Sequence, residues 1–521
     1  MAKRIWEKFA AKRDWDESAS EPSLEELDRT PAEVALDSLR RGRKLLGRGR
    51  LHLLALARQL FLSILVGVLS GALGTAFLYS MRFASDFFAR CDALGIEGRA
   101  IRPIFFLPFA GLLIVALYRL FRLTIDAGTN QVVEALTNEK KASLWLAPSI
   151  FLGSTLTQFF GGSAGREGAA LQLGGCVGLG TGRLLGLDGA SLHIAILCGM
   201  SGGFAAVFGA PLTATIFALE IACVGVVYYP AFLPSLVAGI IGASFSSALG
   251  FAPFSCRLAA FGTISIPLVA RALALGVGCG LVCVFFCSSI RFATRSLTRR
   301  CPNDFARVFF GGSLVVVATI ALGTDAYNGS GFGNIAAALE GKALPQDFLL
   351  KTLFTAITLG AGFKGGEIVP ALAVGATFGG VAGNWLGFDA SQGAALGMIA
   401  IFSGATNCPL TALALSIELF GAQNALAFAV ACGACYLTSG TSGLYRSQKN
   451  LFSKVTALPF DQRLREDFRN DLQILDDLAK RKTALGTRQR DVFLHSSGSR
   501  KKLLSIFEVV KGEETGFRQF F

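Results

Sequence analysis

Arg166 and Glu167 stand between Gly165 and Gly168 in the run Gly161-Gly162-Ser163-Ala164-Gly165-Arg166-Glu167-Gly168-Ala169-Ala170, deep inside otherwise apolar sequence. A carboxylate beside a guanidinium in such a place suits two tasks, carrying a proton or handling an anion. At membrane depth each charge costs from about 2.5 kcal/mol upward, so it is seldom kept there without a partner, a water-filled cavity or a function. The glycines let the backbone leave its helix and approach an ion closely, which a membrane tolerates only where irregular backbone is buried in protein or lines a cavity. Glu167 at the start of a helix would put its carboxylate where an anion is also stabilised. It could then occupy the anion's seat and leave when protonated, which is a gate. Its charge is expected to be balanced by backbone N–H groups rather than by a full counter-ion, keeping anion binding reversible. The plainer alternative is an acid that only caps its helix. Arg166 either pairs with carbonyls or an acid, or touches the anion directly.

The elements that must position this pair are membrane elements. Of 521 residues, 52% are apolar and only 16% are charged, with 61 glycines against 15 prolines. The mean hydropathy is +0.53, and such a glycine load is typical of tightly packed membrane helices. Apolar segments run over 57–83, 101–121, 144–161, 169–187, 192–227, 231–250, 263–290, 307–323, 347–363, 368–387, 393–405, 409–421 and 423–440. Several are shorter than the roughly 20 helical residues that cross a hydrocarbon core, so broken or re-entrant helices are expected. The 12 cysteines, among them Cys279, Cys283, Cys287, Cys432 and Cys435, fall mostly in apolar runs without histidine partners and read as small packing residues. His52, His193 and His495 have no ligand spacing, and neither a metal nor a cofactor is expected.

An internal repeat organises these segments. Ala210-Pro211-Leu212-Thr213-Ala214, ending in Glu220, recurs as Cys408-Pro409-Leu410-Thr411-Ala412, ending in Glu418. A similar shift lays Gly165-Arg166-Glu167-Gly168-Ala169 on Gly366-Glu367-Ile368-Val369-Pro370. Paired halves with interrupted helices predict an all-α polytopic membrane protein of two inverted repeats, with broken and re-entrant helices around an anion site near the bilayer midplane. Glu220 and Glu418 read as helix-end acids facing polar loops or cations.

These residues resemble the CLC family of chloride channels and proton-coupled anion exchangers over about residues 55–450. Gly165-Arg166-Glu167-Gly168 is similar to the family's gating-glutamate motif, with Ala169 in place of its proline. Gly366-Glu367-Ile368-Val369-Pro370 resembles the second anion-binding loop, and Asp126-Ala127-Gly128-Thr129-Asn130 sits where the first belongs. Tyr445 matches the tyrosine whose hydroxyl faces the central anion, unless it is an interfacial aromatic near the membrane boundary. The resemblance thus implies Glu167 as gate, and an anion site formed by Ala127, Gly128, Arg166, Glu167, Gly168, Gly366, Glu367, Ile368 and Tyr445. It also implies a homodimer with one pathway per subunit.

Two departures from the pattern bear on protons. Ile221 stands where exchangers carry an internal proton acceptor, next to Glu220. Glu367, an acid unusual for its loop, is a candidate substitute carrier beside the anion path, or else pairs with Lys364. The proton path is therefore assigned to Glu167 and Glu367. The Gly-Gly-Glu form of that loop resembles the fluoride-exporting branch of the family, although Ala127 stands where that branch is expected to have methionine. Ala127 also brings no hydroxyl to the central site. The implied function is transport of chloride or a similar small anion, as a channel or a proton-coupled antiporter, with fluoride/proton antiport as the alternative.

The charge excess of +13 could suggest nucleic acid, but its placement does not. Arg40, Arg41, Arg43, Lys44, Arg48 and Arg50 precede the first apolar run, and Arg446, Lys449 and Lys454 follow the last. The positive-inside rule then puts both termini in the cytoplasm, and the resemblance, to the family's bacterial type, implies the inner membrane. Residues 1–55 form a cytoplasmic segment without the apolar core of a cleavable signal, and 56–450 the membrane domain, with repeats at about 56–250 and 260–450. Residues 451–521 form a cytoplasmic tail too short for a pair of CBS domains. An intramembrane enzyme lacks a histidine, cysteine or metal set beside the carboxylates, and a receptor or scaffold would leave both repeat signals without a role.

Overall fold

The computed structural model describes residues 31–93, 103–124 and 143–450, apart from 188, 226, 252–255, 257, 263–264 and 446, together with Lys454. Ala127, Gly128 and both tails beyond these bounds lie outside the described residues. Fifteen α-helices are present among the described residues. In the first half they are α1 (Pro31–Ala93), α2 (Leu107–Leu120), α3 (Leu146–Phe159), α4 (Glu167–Leu184), α5 (Gly189–Phe208), α6 (Pro211–Glu220) and α7 (Phe232–Ala248). The second half has α8 (Ile266–Arg300), α9 (Asp304–Leu322), α10 (Phe332–Leu339), α11 (Asp347–Ala361), α12 (Ile368–Trp385), α13 (Ala390–Thr406), α14 (Pro409–Phe420) and α15 (Ala425–Thr438). Seven helical stretches are long and apolar enough to cross a membrane, beginning with Ala55–Ala84 and ending with Ile368–Trp385.

The repeat read from two short motifs extends over whole elements. The order α3, α4, α5, α6, α7 recurs as α11, α12, α13, α14, α15 with matching lengths and breaks. The expected continuous segment 192–227 is divided at Gly209, which takes φ +75°, and Pro211 at the first position of α6 cannot continue α5. Asn407, at φ +57°, and Pro409 make the same break between α13 and α14. The helix α10 was not among the expected segments, because eight residues bounded by glycine-rich turns are too short to register as a span. The first helix, in turn, runs well before residue 57, since its Leu-, Arg- and Lys-rich flank consists of good helix formers.

The core consists of helix pairs packed on glycine. The helices α4 and α5 cross so closely that a Cβ on Gly174 would fall on the carbonyl of Gly199, and α12 and α13 repeat this, a Cβ on Gly375 falling 2.5 Å from the carbonyl oxygen of Gly397. Without a hydrophobic force between helices in lipid, such close backbone approach supplies the packing that holds them. Gly174→Val is therefore expected to separate α4 from α5 and lower the thermal midpoint and the monodisperse yield of purified protein; an unchanged midpoint would contradict this packing account.

Glu220 and Glu418 join the repeats. A helix leaves its first N–H groups unpaired, and each carboxylate satisfies those of the other half's short helix. Glu418 accepts from the N–H of Leu212 at 2.9 Å and of Thr213 at 2.8 Å, and from the Thr213 hydroxyl at 2.5 Å. Glu220 accepts from Leu410 N–H at 3.3 Å, Thr411 N–H at 2.9 Å and the Thr411 hydroxyl at 2.6 Å. They do not face polar loops or cations as expected, but cap one another's helix across the pseudo-two-fold.

These elements belong to one compact unit, made of Met1–Ile221 and Tyr228–Ser447. The other unit, Ala222–Val227 with Gln448–Phe521, contains a two-residue parallel pair in which Cys223 faces Lys449 and Val224 faces Asn450.

Candidate functional site

The two glycine-rich loops meet directly. Gly165 N–H donates to the Gly366 carbonyl and Gly366 N–H to the Gly165 carbonyl, both at 2.7 Å. A side chain would break this contact, because a Cβ on Gly366 would lie 2.7 Å from the nitrogen of Gly168. Each loop is also tied to the other half's helix. Ser163 N–H donates to Thr358 Oγ1 at 3.2 Å on α11, and Lys364 N–H donates to Thr157 Oγ1 at 3.1 Å on α3. The bridge thereby sets the N-termini of α4 and α12 side by side, with Arg166 and Glu367 as their equivalent N-cap residues.

Glu167, the first residue of α4, is fully buried. Its Oε2 accepts from the Arg166 backbone N–H at 3.0 Å, and its Oε1 lies 3.3 Å from Arg166 Nε. The sequence led to the expectation of balance by backbone N–H groups alone. The structure adds a full counter-ion, because Arg166 precedes the helix with a side chain free to turn back on its neighbour. The Arg166 guanidinium also lies over the Phe332 ring, 4.9 Å from its centroid.

Phe332 was invisible to sequence reasoning, since nothing near residue 332 repeats the motif of the first half. It is positioned by Lys351, a completely buried lysine of α11 whose Nζ donates to the carbonyls of Tyr327 and Gly329 at 3.0 and 2.9 Å. That clamp fixes the turn before α10. Gly331 there takes φ +99°, and a Cβ on it would lie 2.8 Å from Lys351 Cε. A lysine inside an apolar helix was the available signal, because a buried ammonium needs acceptors.

Glu367 and Tyr445 form a second cluster. Tyr445 is buried rather than interfacial, at 5% exposure, and its hydroxyl has no hydrogen-bond partner among the described residues. The Glu367 Oε2 is likewise buried and without a hydrogen-bond partner among the described residues, and the carboxylate lies in electrostatic range of both Tyr445 and Cys287. The Lys364 ammonium sits over the Tyr118 ring, 4.3 Å from its centroid, within electrostatic range of Glu367. Unpartnered polar groups are rare in interiors, and each calls for an explanation such as a ligand or a proton. Ile368 and Gly168 are buried at the heads of their helices. Ile221, which follows Glu220 at the end of α6, is fully buried. Cys279, Cys283, Cys287, Cys432 and Cys435 are buried on α8 and α15, which pack together.

A family model for the voltage gated chloride channel matches residues 110–440. The chain belongs to the CLC family. A chloride/fluoride channel protein of Pseudomonas syringae pv. tomato is 32% identical over 408 residues, covering 77% of this chain and 88% of that protein. The H(+)/Cl(-) exchange transporter ClcA of Vibrio campbellii is 27% identical over 389 residues, covering 69% and 81%. Among solved structures, a CLC-type fluoride/proton antiporter superposes with a TM-score of 0.71 at 32% identity, over 76% of this chain and 98% of that one. A slow cyanobacterial Cl-/H+ antiporter, at 20% identity and a TM-score of 0.65 over 73% and 94%, shares the fold. This CLC protein is accordingly an integral membrane anion transporter, not an enzyme, and its all-α fold of inverted repeats is that of its family.

Proposed function

We propose that this CLC protein is a proton-coupled antiporter for chloride or a similar small anion, gated by protonation of Glu167. The observation that carries this reading is the Gly165–Gly366 bridge, which joins two helix N-termini beside a fully buried carboxylate. Paired N-termini attract an anion through free N–H groups and partial positive charge. The Glu167 carboxylate competes for the same field while charged and stops competing once protonated. The Tyr445 hydroxyl and the N–H groups of Glu367 and Ile368 at the head of α12 supply neutral donors for a central anion, the Gly366 N–H being held in the bridge, and Ala127 and Gly128 belong to the proposed site. With Ile221 unable to take a proton, Glu367 serves as the second proton carrier.

Fluoride/proton antiport is the second reading, favoured by Glu367 in its loop, by Ile221, and by similarity to the fluoride/proton antiporter structure. The protein acts as a homodimer with one pathway per subunit, in the bacterial inner membrane, with both termini cytoplasmic. Residues 1–55 and 451–521 are its cytoplasmic segments, and 56–450 its membrane domain in two repeats.

Purified protein in vesicles tests this. An imposed chloride or fluoride gradient is expected to drive protons against their own gradient, and the anion that does so is the cargo. Anion movement without proton pumping would mean passive conduction instead. Glu367→Gln is expected to cut proton flux by about tenfold or more while anion flux continues; intact coupling in that variant would remove Glu367 from the path.

A further inference from the structure

We infer that Arg166 is a shared counter-ion, bound to Glu167 while that carboxylate is charged and handed to the transported anion when Glu167 takes up a proton. This rests on the reading of Glu167 as the gate, and assigns to Arg166 the coupling of proton to anion.

The comparison with Arg307 in the same structure motivates it. Arg307 is a structural guanidinium with a side chain 5% exposed, and all three of its nitrogens are engaged. Its Nε donates to the Ala361 carbonyl at 3.3 Å, its Nη1 to Thr298 Oγ1 at 3.3 Å, and its Nη2 lies 2.9 Å from Asp304. Arg166 is 28% exposed, and its guanidinium has Glu167 Oε1 as its one hydrogen-bond acceptor among the described residues. Its two Nη groups are thus open to a further anionic partner. A guanidinium presents a flat fork of donors, so a site that uses only Nε leaves most of its binding capacity available.

Phe332 makes an exchange of partners workable. The ring face holds the cation independently of the carboxylate, so Arg166 keeps its place when Glu167 becomes neutral. Protonation then removes the negative charge that holds the guanidinium at Oε1 and releases the Nε–H, a donor an anion satisfies equally well. Other charges are poorly placed to take this role. On the elements packed against α4 the charged or imidazole groups whose side chains are described are Arg58, Arg82, Asp86 and Arg90 of α1, His193 of α5, and Glu367 at the head of α12. Among the described residues Arg166 is the charged side chain that acts on Glu167.

The linkage is reciprocal: a proton on Glu167 strengthens anion binding by the same factor as the anion strengthens proton binding. Glu167→Gln mimics the protonated state. Sodium chloride and sodium fluoride are titrated calorimetrically into full-length detergent-purified wild type, Glu167→Gln, Arg166→Gln and the double variant. Glu167→Gln is expected to bind one of the two anions about tenfold more tightly than wild type, and the double variant to lose that gain. Arg166→Gln in the wild-type background is expected to change affinity much less, because there the charged Glu167 carboxylate repels an anion from the guanidinium it neighbours. Arg166→Lys in the Glu167→Gln background restores part of the affinity. If Arg166→Gln does not fold, Phe332→Leu in the Glu167→Gln background serves, with a several-fold loss expected.

Equal losses from Arg166→Gln in both backgrounds, or tight binding that survives in the double variant, would overturn the inference while leaving the gate intact. Unchanged anion affinity and unchanged proton coupling in Glu167→Gln would instead remove the gate and the inference together.

Discussion

Glu167→Gln is expected to reduce proton pumping to background, a fall of about a hundredfold or more, while anions continue to cross the membrane. Glutamine keeps the size of glutamate and still accepts the Arg166 backbone N–H now held by Oε2 at 3.0 Å. It cannot carry a proton, and it cannot form the 3.3 Å ion pair with Arg166. The fold should tolerate the change, because the loop is fixed by the Gly165–Gly366 bridge rather than by the carboxylate. The neutral side chain no longer competes for the helix N-terminus, so the anion gains free access to it. The measurement is parallel anion efflux and proton uptake in vesicles at several external pH values. Proton pumping that persists at its wild-type ratio, with the wild-type pH dependence, would show that Glu167 is not the gate.

The second large effect concerns assembly of the halves. Removing either carboxylate of the reciprocal clamp orphans two backbone N–H groups and a threonine hydroxyl inside the protein. Each loss is expected to cost about 2 to 4 kcal/mol, because bonds to a charged acceptor are strong and buried donors without partners are expensive. Glu220→Ala and Glu418→Ala should each lower the thermal midpoint of the purified protein. The Gln variants should fall between, since an amide oxygen can still accept but carries no charge to meet the helix dipole. The two clamps cap different helices with different residues, so the double Ala variant should lose roughly the sum. Midpoints that do not move would show that the capping contacts are not what joins α6 to α14.

Much of this architecture could be read from the chain because two signals survived in both halves. Ala210-Pro211-Leu212-Thr213 and Cys408-Pro409-Leu410-Thr411 mark the same helix start, since proline at a first helical position does the same job in each. Gly165 and Gly366 were aligned by offset, and they turn out to be hydrogen-bonded to one another. Motif pairing succeeded there because only glycine fits where two loops touch backbone to backbone. It failed for α10, which is too short to show a period and has no motif in common with the first half.

Sequence by itself determined the solvent, the repeat and the acids. Low charge and abundant glycine require helices in lipid, and a carboxylate retained there must have a partner or a task. Tertiary structure decided what each acid is for. Glu220, Glu418, Glu167 and Glu367 are alike as residues, all near helix ends. Two of them turned to the opposite repeat and were consumed as caps, one met Arg166, and one keeps an oxygen near Tyr445 that has no partner among the described residues. The physical reason is that helix ends pair across the pseudo-two-fold. Glu167 turned back on its own neighbour, but whether Glu220 and Glu418 find free N–H groups depends on which helix end from the other half lies within 3 to 4 Å, and a linear spacing does not encode that distance.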